Sequence, residues 1–191
     1  FEKECSNDFF ATALLLKIDT SKGIVTMANA GHHPPLIKRE NGKIEEIEGG
    51  NTPLGTVSDI EYEDITFQLN KGDTLILYTD GITESSDRHK NEYGLSGLLE
   101  SLRRSQGSPR ELLQEILKNI KDHCKGAKQK DDMTVICVAR DLEEIDITRK
   151  VTAIKRKGEK ENETDLIKID QPGEHFSVLN EILEDSGDHP K

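Results

Sequence analysis

At 191 residues the chain is long enough for one domain of ordinary size plus an extension. Hydrophobic and charged residues each make up 33% of it, which predicts a modest core and some poorly ordered sequence. The 37 acidic against 26 basic residues give a net charge of −11, which disfavours nucleic acid or an anionic membrane as the main partner. No apolar run approaches the roughly 20 residues a membrane helix takes, and the mixed, polar Phe1–Asp8 is not the pattern expected of a secretory leader. The chain opens on Phe1, as expected of a processed chain or a piece of a longer one. Cys5, Cys124 and Cys137 are odd in number and far apart, so neither a disulfide framework nor a cysteine-rich zinc site is expected, and a reducing cytoplasm is the simpler home.

The apolar run Phe9–Ile18 ends at the turn-prone Asp19–Gly23, and Ile24–Ala30 then alternates, so two hairpin strands are predicted. Gly31-His32-His33-Pro34-Pro35 breaks the ladder, because neither proline has an N–H to give. Leu36–Lys38 and Ile44–Ile47 flank Asn41-Gly42, a hairpin signal since both residues tolerate positive φ. Gly49–Gly55 reads as loop. Ile65, Phe67 and Leu69 alternate with polar residues, and Thr74–Thr79 reads as a buried strand, completing what looks like a β-meander.

Leu95, Leu98, Leu99 and Leu102 fall at helical spacing. Ser108-Pro-Arg-Glu111 is a capping box with proline at the first helical position, and Leu112, Leu113, Ile116, Leu117 and Ile120 form one apolar stripe behind it. Gly126 suits the stop. A strand over Thr134–Ala139 follows, and the whole indicates a layered α+β domain over residues 1–145. Residues 141–191 hold 14 acidic and 8 basic residues, a net −6 of the chain's −11. Residues 146–165 read as a charged linker. Residues 166–191, with a short strand over Leu166–Ile169 and a helix over Glu174–Asp185, read as the start of another domain or a flexible tail.

Candidate chemistry concentrates where strands deliver carboxylates to an edge. Thr74–Thr79 runs into Asp80-Gly81, and Thr134–Ala139 begins after Asp131-Asp132. If the two strands are antiparallel neighbours, Asp80 faces Asp131 or Asp132 at one sheet edge. Oxygen ligands of this kind suit Mg²⁺ or Mn²⁺, and two such ions can activate a water for attack on phosphorus. The spacing equally suits a turn after one strand and an exposed cap before the other. His32 and His33 read as structural or solvent-facing rather than as ligands. Lys38-Arg39 could meet a phosphate, but a hairpin turn tolerates charge there. Cys124 and Cys137 read as core or near-core. A phosphate-binding Gly-x-x-x-x-Gly-Lys loop, a Gly-x-Ser-x-Gly elbow and a His-Glu-x-x-His motif are all missing from the sequence.

Five motifs carry a resemblance. They are Phe10-Ala-Thr-Ala, Ala28-Asn-Ala-Gly-His-His-Pro-Pro-Leu36, Pro53-Leu-Gly55, Gly72-Asp-Thr-Leu-Ile-Leu-Tyr-Thr-Asp-Gly-Ile-Thr-Glu84 and Asp131-Asp-Met-Thr-Val-Ile136. In this order, over about residues 8 to 140, the chain resembles the PPM-type metal-dependent serine/threonine phosphatases. It is closest in type to their bacterial branch of stage II sporulation protein E and the sigma-factor regulators. The resemblance implies an α-β-β-α sandwich with two Mn²⁺ or Mg²⁺ ions at one edge of the paired sheets. It implies Asp80 and Asp131 as catalytic metal ligands, with Asp132 as an accessory one. The implied reaction is phosphoserine or phosphothreonine hydrolysis by metal-activated water. The implied substrate is a phosphorylated regulatory protein, a STAS-type anti-anti-sigma factor, in the cytoplasm, and a homodimer is compatible with it. The family's early Asp-x-x-Gly-His-Gly motif is missing from the sequence, so an N-terminally incomplete domain with weakened catalysis is expected. Two other readings stay open: a pseudo-phosphatase or truncated interaction module without catalysis, and a structural cation-binding module.

Overall fold

The computed structural model describes residues 10–140 and two further strands, 165–171 and 174–183. The strands are β1 (Ala13–Asp19), β2 (Ile24–Ala30), β3 (Leu36–Lys38), β4 (Ile44–Glu46), β5 (Ile65–Gln68), β6 (Thr74–Tyr78), β7 (Met133–Arg140), β8 (Asp165–Gln171) and β9 (Glu174–Leu183). The helices α1 (Asp80–Thr83), α2 (Gly94–Arg104) and α3 (Pro109–Cys124) lie between β6 and β7. Every strand pairing is antiparallel. The smaller sheet runs β1-β2-β5 and the larger β4-β3-β6-β7-β9-β8.

The expected meander is therefore split. Asn41-Gly42 closes the β3–β4 hairpin, with Gly42 at φ +83°, but β2 and β3 belong to different sheets. Gly31-His-His-Pro-Pro is the crossing between them. Its prolines lack the donors that would have kept β3 on the β2 ladder. β5 then returns to the free side of β2, pairing Val25 with Phe67.

Period-two alternation sorts β6 and β7 into two cores. Ile76 and Tyr78 with Met133, Val135 and Cys137 face the helices, packed on Leu98, Leu102, Leu113 and Ile116. Leu75 and Val138 face the small sheet, against Val25, Ile37 and Leu69. Both faces of β6 and β7 are thus covered, which explains why these two strands read as nearly continuous apolar runs. Arg140, 8% exposed at the end of β7, straps the sheets together by donating to the carbonyls of Leu69 and Lys22, each at 3.1 Å.

The local helix signals are realised. The Ser108 Oγ accepts from Glu111 N–H, the Glu111 carboxylate accepts from Ser108 N–H, and Pro109 opens α3. Such a cap is worth about 1 kcal/mol. The helix ends on Lys125 in a left-handed conformation. Cys137 is fully buried, and burial pushes its thiol up to about 12.

The loop between α1 and α2 is organised by Asp87, whose carboxylate accepts from the amides of His89 and Asn91 and from the Asn91 side chain at 2.8–2.9 Å. The Asn91 bonds, side-chain first and backbone second, hold its pKa down at about 2, against 3.8 ordinarily. A depressed carboxylate stabilises the fold above the unfolded value and loses that contribution on protonation. The loop should therefore loosen as pH falls from 3.8 towards 2, and not above that window. A carboxyl-carbon NMR titration of folded protein should place the Asp87 midpoint near 2; a midpoint at 3.8 would refute the bonding.

The helix expected over Glu174–Asp185 is instead β9, paired along Met133–Arg140 of β7. Its apolar spacing satisfies a helix locally, but β7 offers a row of unpaired backbone groups on the side away from β6. Pairing with that row wins over local period. The strand expected at Leu166–Ile169 is present as β8, hairpinned onto β9. The charged linker expected at 146–165 lies outside the described residues except for its last position, as does Cys5.

Candidate metal-binding edge

The site begins with the β6–β7 ladder. Tyr78 pairs with Val135, Thr79 N–H donates to the Thr134 carbonyl at 3.1 Å, and Thr134 N–H returns a bond to Thr79 Oγ at 3.0 Å. The ladder thus ends where Asp80 leaves β6 and Asp131-Asp132 enters β7. The antiparallel arrangement required for the carboxylates to share an edge is present, and all three aspartates are exposed there.

Close backbone approach draws the two segments together. A Cβ on Gly81 would lie 2.3 Å from the Asp132 carbonyl oxygen and 2.9 Å from its carbon, so only glycine fits. Asp80 Oδ1 accepts from Gly81 N–H at 2.9 Å, and Asp131 Oδ1 accepts from Asp132 N–H at 2.8 Å. Each carboxylate is held by the amide that follows it.

The histidine turn lies at the same edge. His33 stacks on Tyr78, with ring centroids 5.4 Å apart and 20° between planes. His32 bonds Thr12 Oγ through Nδ1 at 3.1 Å and is half-buried. Burial first, then His33, lowers its pKa, opposed by the negative charge of Asp80. Their structural and solvent-facing reading agrees with these contacts, but the sequence does not reveal their nearness to Asp80.

The sequence does not single out Asn29, which is 3% exposed and clamps this turn. Its Oδ1 accepts from His32 N–H at 2.8 Å, while its Nδ2 donates to the His32 carbonyl at 3.0 Å. A polar residue at an inward strand position was the available signal. Lys38-Arg39, by contrast, belongs to the far end of β6, where Lys38 pairs with Thr74. Arg39 binds Glu45 and Asp73 at 2.6 and 2.7 Å, so it serves an internal ion-pair network rather than this edge.

The donors at the edge are hard oxygens, the type Mg²⁺ and Mn²⁺ take. One or two carboxylates, completed by water and substrate phosphate, can hold one such ion. A two-ion centre needs more. Among the described residues no three histidine, cysteine or acidic side chains are grouped to hold a metal. The described residues at this edge thus offer carboxylates of the right kind, but fewer grouped donors than a two-ion centre takes.

Comparison with known proteins bears on the same segment. Residues 1–141 match the family described as Stage II sporulation protein E (SpoIIE). The chain is 30% identical over 131 residues to Protein IcfG of Synechocystis, covering 69% of this chain and 21% of that protein. It is 26% identical over 132 residues to the phosphoserine phosphatase RsbP of Bacillus subtilis, covering 69% of this chain and 31% of that one. The chain thus spans a third or less of these relatives' length. The Mn-presoaked phosphatase domain of SpoIIE from B. subtilis superposes with a TM-score of 0.56 at 25% identity, covering 75% of this chain and 63% of that domain. The SiaA PP2C domain of Pseudomonas aeruginosa shares the fold, with a TM-score of 0.57 at 20% identity, over 65% of this chain and 49% of that one. Two packed antiparallel sheets, carboxylates at the β6–β7 edge and a match over most of the chain place this protein in the SpoIIE family of PPM-type phosphatases.

Proposed function

We propose that the protein hydrolyses phosphoserine or phosphothreonine on a regulatory protein, with its reacting edge at Asp80 and Asp131. The observation that carries the reading is the β6–β7 ladder, which delivers both aspartates to one exposed edge within a chain of this family. Asp80 and Asp131 would hold Mn²⁺ or Mg²⁺ as carboxylate ligands, with Asp132 accessory to them. When bound, the ion supplies Lewis acidity and activates water. The chain's own part is to fix the carboxylates: Gly81 permits the close approach, and the following amides orient Asp80 and Asp131. The substrate proposed is a phosphorylated STAS-type anti-anti-sigma protein in the cytoplasm. The catalytic unit proposed spans residues 1–145.

Mn²⁺ titration calorimetry on the chain, beside an Asp80→Asn, Asp131→Asn double variant, tests this directly. Binding in the chain, lost in the variant, is the expected result, together with Mn²⁺-dependent phosphate release from a phosphorylated STAS protein. Equal heats in both proteins would remove the aspartates from the site. Binding without phosphate release would leave an interaction module instead.

A further inference from the structure

A cavity of about 670 Å³ opens beside the reacting edge, between the start of α1, the C-terminal half of α3 and the loop leading to β7. Gly81 and Asp131 line one end of it, so it is continuous with the edge that carries Asp80. Its volume falls in the range of ligand sites. Its floor is apolar, formed by Leu117, Ile120 and Met133, the last two no more than 7% exposed.

The rim reverses the charge of the molecule. Lys118, Lys121, Lys128 and Lys130 line the cavity against two carboxylates, Glu84 and Asp131, in a chain whose net charge is −11. All four lysines are exposed. Lys130 donates to Ser86 Oγ at 2.8 Å, and none of the four forms an ion pair among the described residues. Among the described residues that line it there is no aromatic ring on which a nucleic-acid base could stack.

We propose that this cleft binds the segment flanking the phosphoserine of a protein substrate, and selects segments that carry acidic residues and one apolar side chain. The inference rests on the phosphatase reading and adds its specificity. The lysines meet the acidic residues, the Leu117–Ile120–Met133 floor takes the apolar side chain, and the phosphoserine is presented at the Asp80–Asp131 edge. Positive charge on the rim also offsets the repulsion a phosphorylated, acidic segment meets from a negative protein.

The test is fluorescence anisotropy with labelled phosphoserine peptides and the full chain, without added metal, so that affinity is read apart from turnover. Three peptides differ only in the residues flanking the phosphoserine and a fixed leucine: acidic, neutral or basic. The acidic peptide should bind about tenfold tighter than the basic one, and raising the salt should shrink the difference. A Lys118→Glu, Lys121→Glu variant should abolish or invert the ranking. Lys128→Glu, outside the helix, should weaken the acidic peptide alone, which guards against a helix fault in the double variant. Affinity indifferent to flanking charge, or unchanged in both variants, would overturn the proposal. So would an oligonucleotide of equal charge that binds as tightly as the acidic peptide. Asp80→Asn separates the two ideas: it should stop phosphate release while leaving the peptide ranking intact. If the unsubstituted chain shows the ranking but releases no phosphate with Mn²⁺ present, the phosphatase reading fails and the cleft stands.

Discussion

Replacing Asp73 with alanine should cost about 3–5 kcal/mol of stability, as removal of one partner of a buried ion pair does. Asp73 is 2% exposed at the start of β6. Its carboxylate accepts from Arg39 Nη1 at 2.7 Å, from Asn70 N–H at 2.8 Å and from Glu40 N–H at 3.1 Å. Truncation leaves two backbone amides short of an acceptor and takes from Arg39 one of its two carboxylates, leaving only Glu45. An asparagine keeps one oxygen and should lose less than alanine: Asn70 N–H and Glu40 N–H are bound by different carboxylate oxygens, so one of these bonds survives and the other is lost with the charge. Denaturant midpoints at constant slope would measure both. A loss under about 1 kcal/mol for the alanine variant would mean that water replaces the carboxylate, and that the network is more open than its contacts imply.

The second large effect is local to the proposed reacting edge. Gly81→Ala puts a methyl 2.3 Å from the Asp132 carbonyl oxygen and 3.5 Å from the Met133 Cα, and backbone atoms cannot rotate away. Overpacking of this kind costs about 1–3 kcal/mol. Its greater consequence is that relief requires α1 to move off β7, parting Asp80 from Asp131. Mn²⁺ affinity should therefore fall by more than the stability change alone implies. Calorimetry on the variant, beside thermal unfolding, separates the two. Unchanged Mn²⁺ binding would show that the ion is held without that close approach.

Most of the strand order in space was beyond local sequence, although the strands themselves were legible. Leu75, Ile76, Val135 and Cys137 announce buried strands through an apolar run, and the antiparallel pairing of β6 with β7 follows the expectation. Ser108 and Glu111 announce α3 because a cap is a contact between near neighbours. What failed involved distant partners. Phe176, Leu179, Ile182 and Leu183 suit a helix stripe, and only the edge of β7, some forty residues away, makes them a strand. β5 pairs with β2 across a long excursion that no period records.

The proposed reacting edge divides along the same line. Asp80 and Asp131 were visible because each abuts a recognisable strand. Asn29 was not singled out, since its task is to hold a turn three residues later. The lysines of the cleft lie on α3 and on a separate loop, where each alone looks like ordinary solvated charge. Their common face exists only after folding.

Placement of Asp131-Asp132 directly ahead of β7 has a kinetic consequence. β7 is hydrogen-bonded to β6 on one side and to β9 on the other, so its amides exchange with solvent only through the larger openings of the sheet. The histidine turn is held instead by the Asn29 side chain, the Thr12–His32 bond and the stacking of His33 on Tyr78. The edge is thus a hinge of unequal halves: the His32-His33 side can breathe on its own, whereas loss of the Asp131 side requires the centre of the larger sheet to come apart.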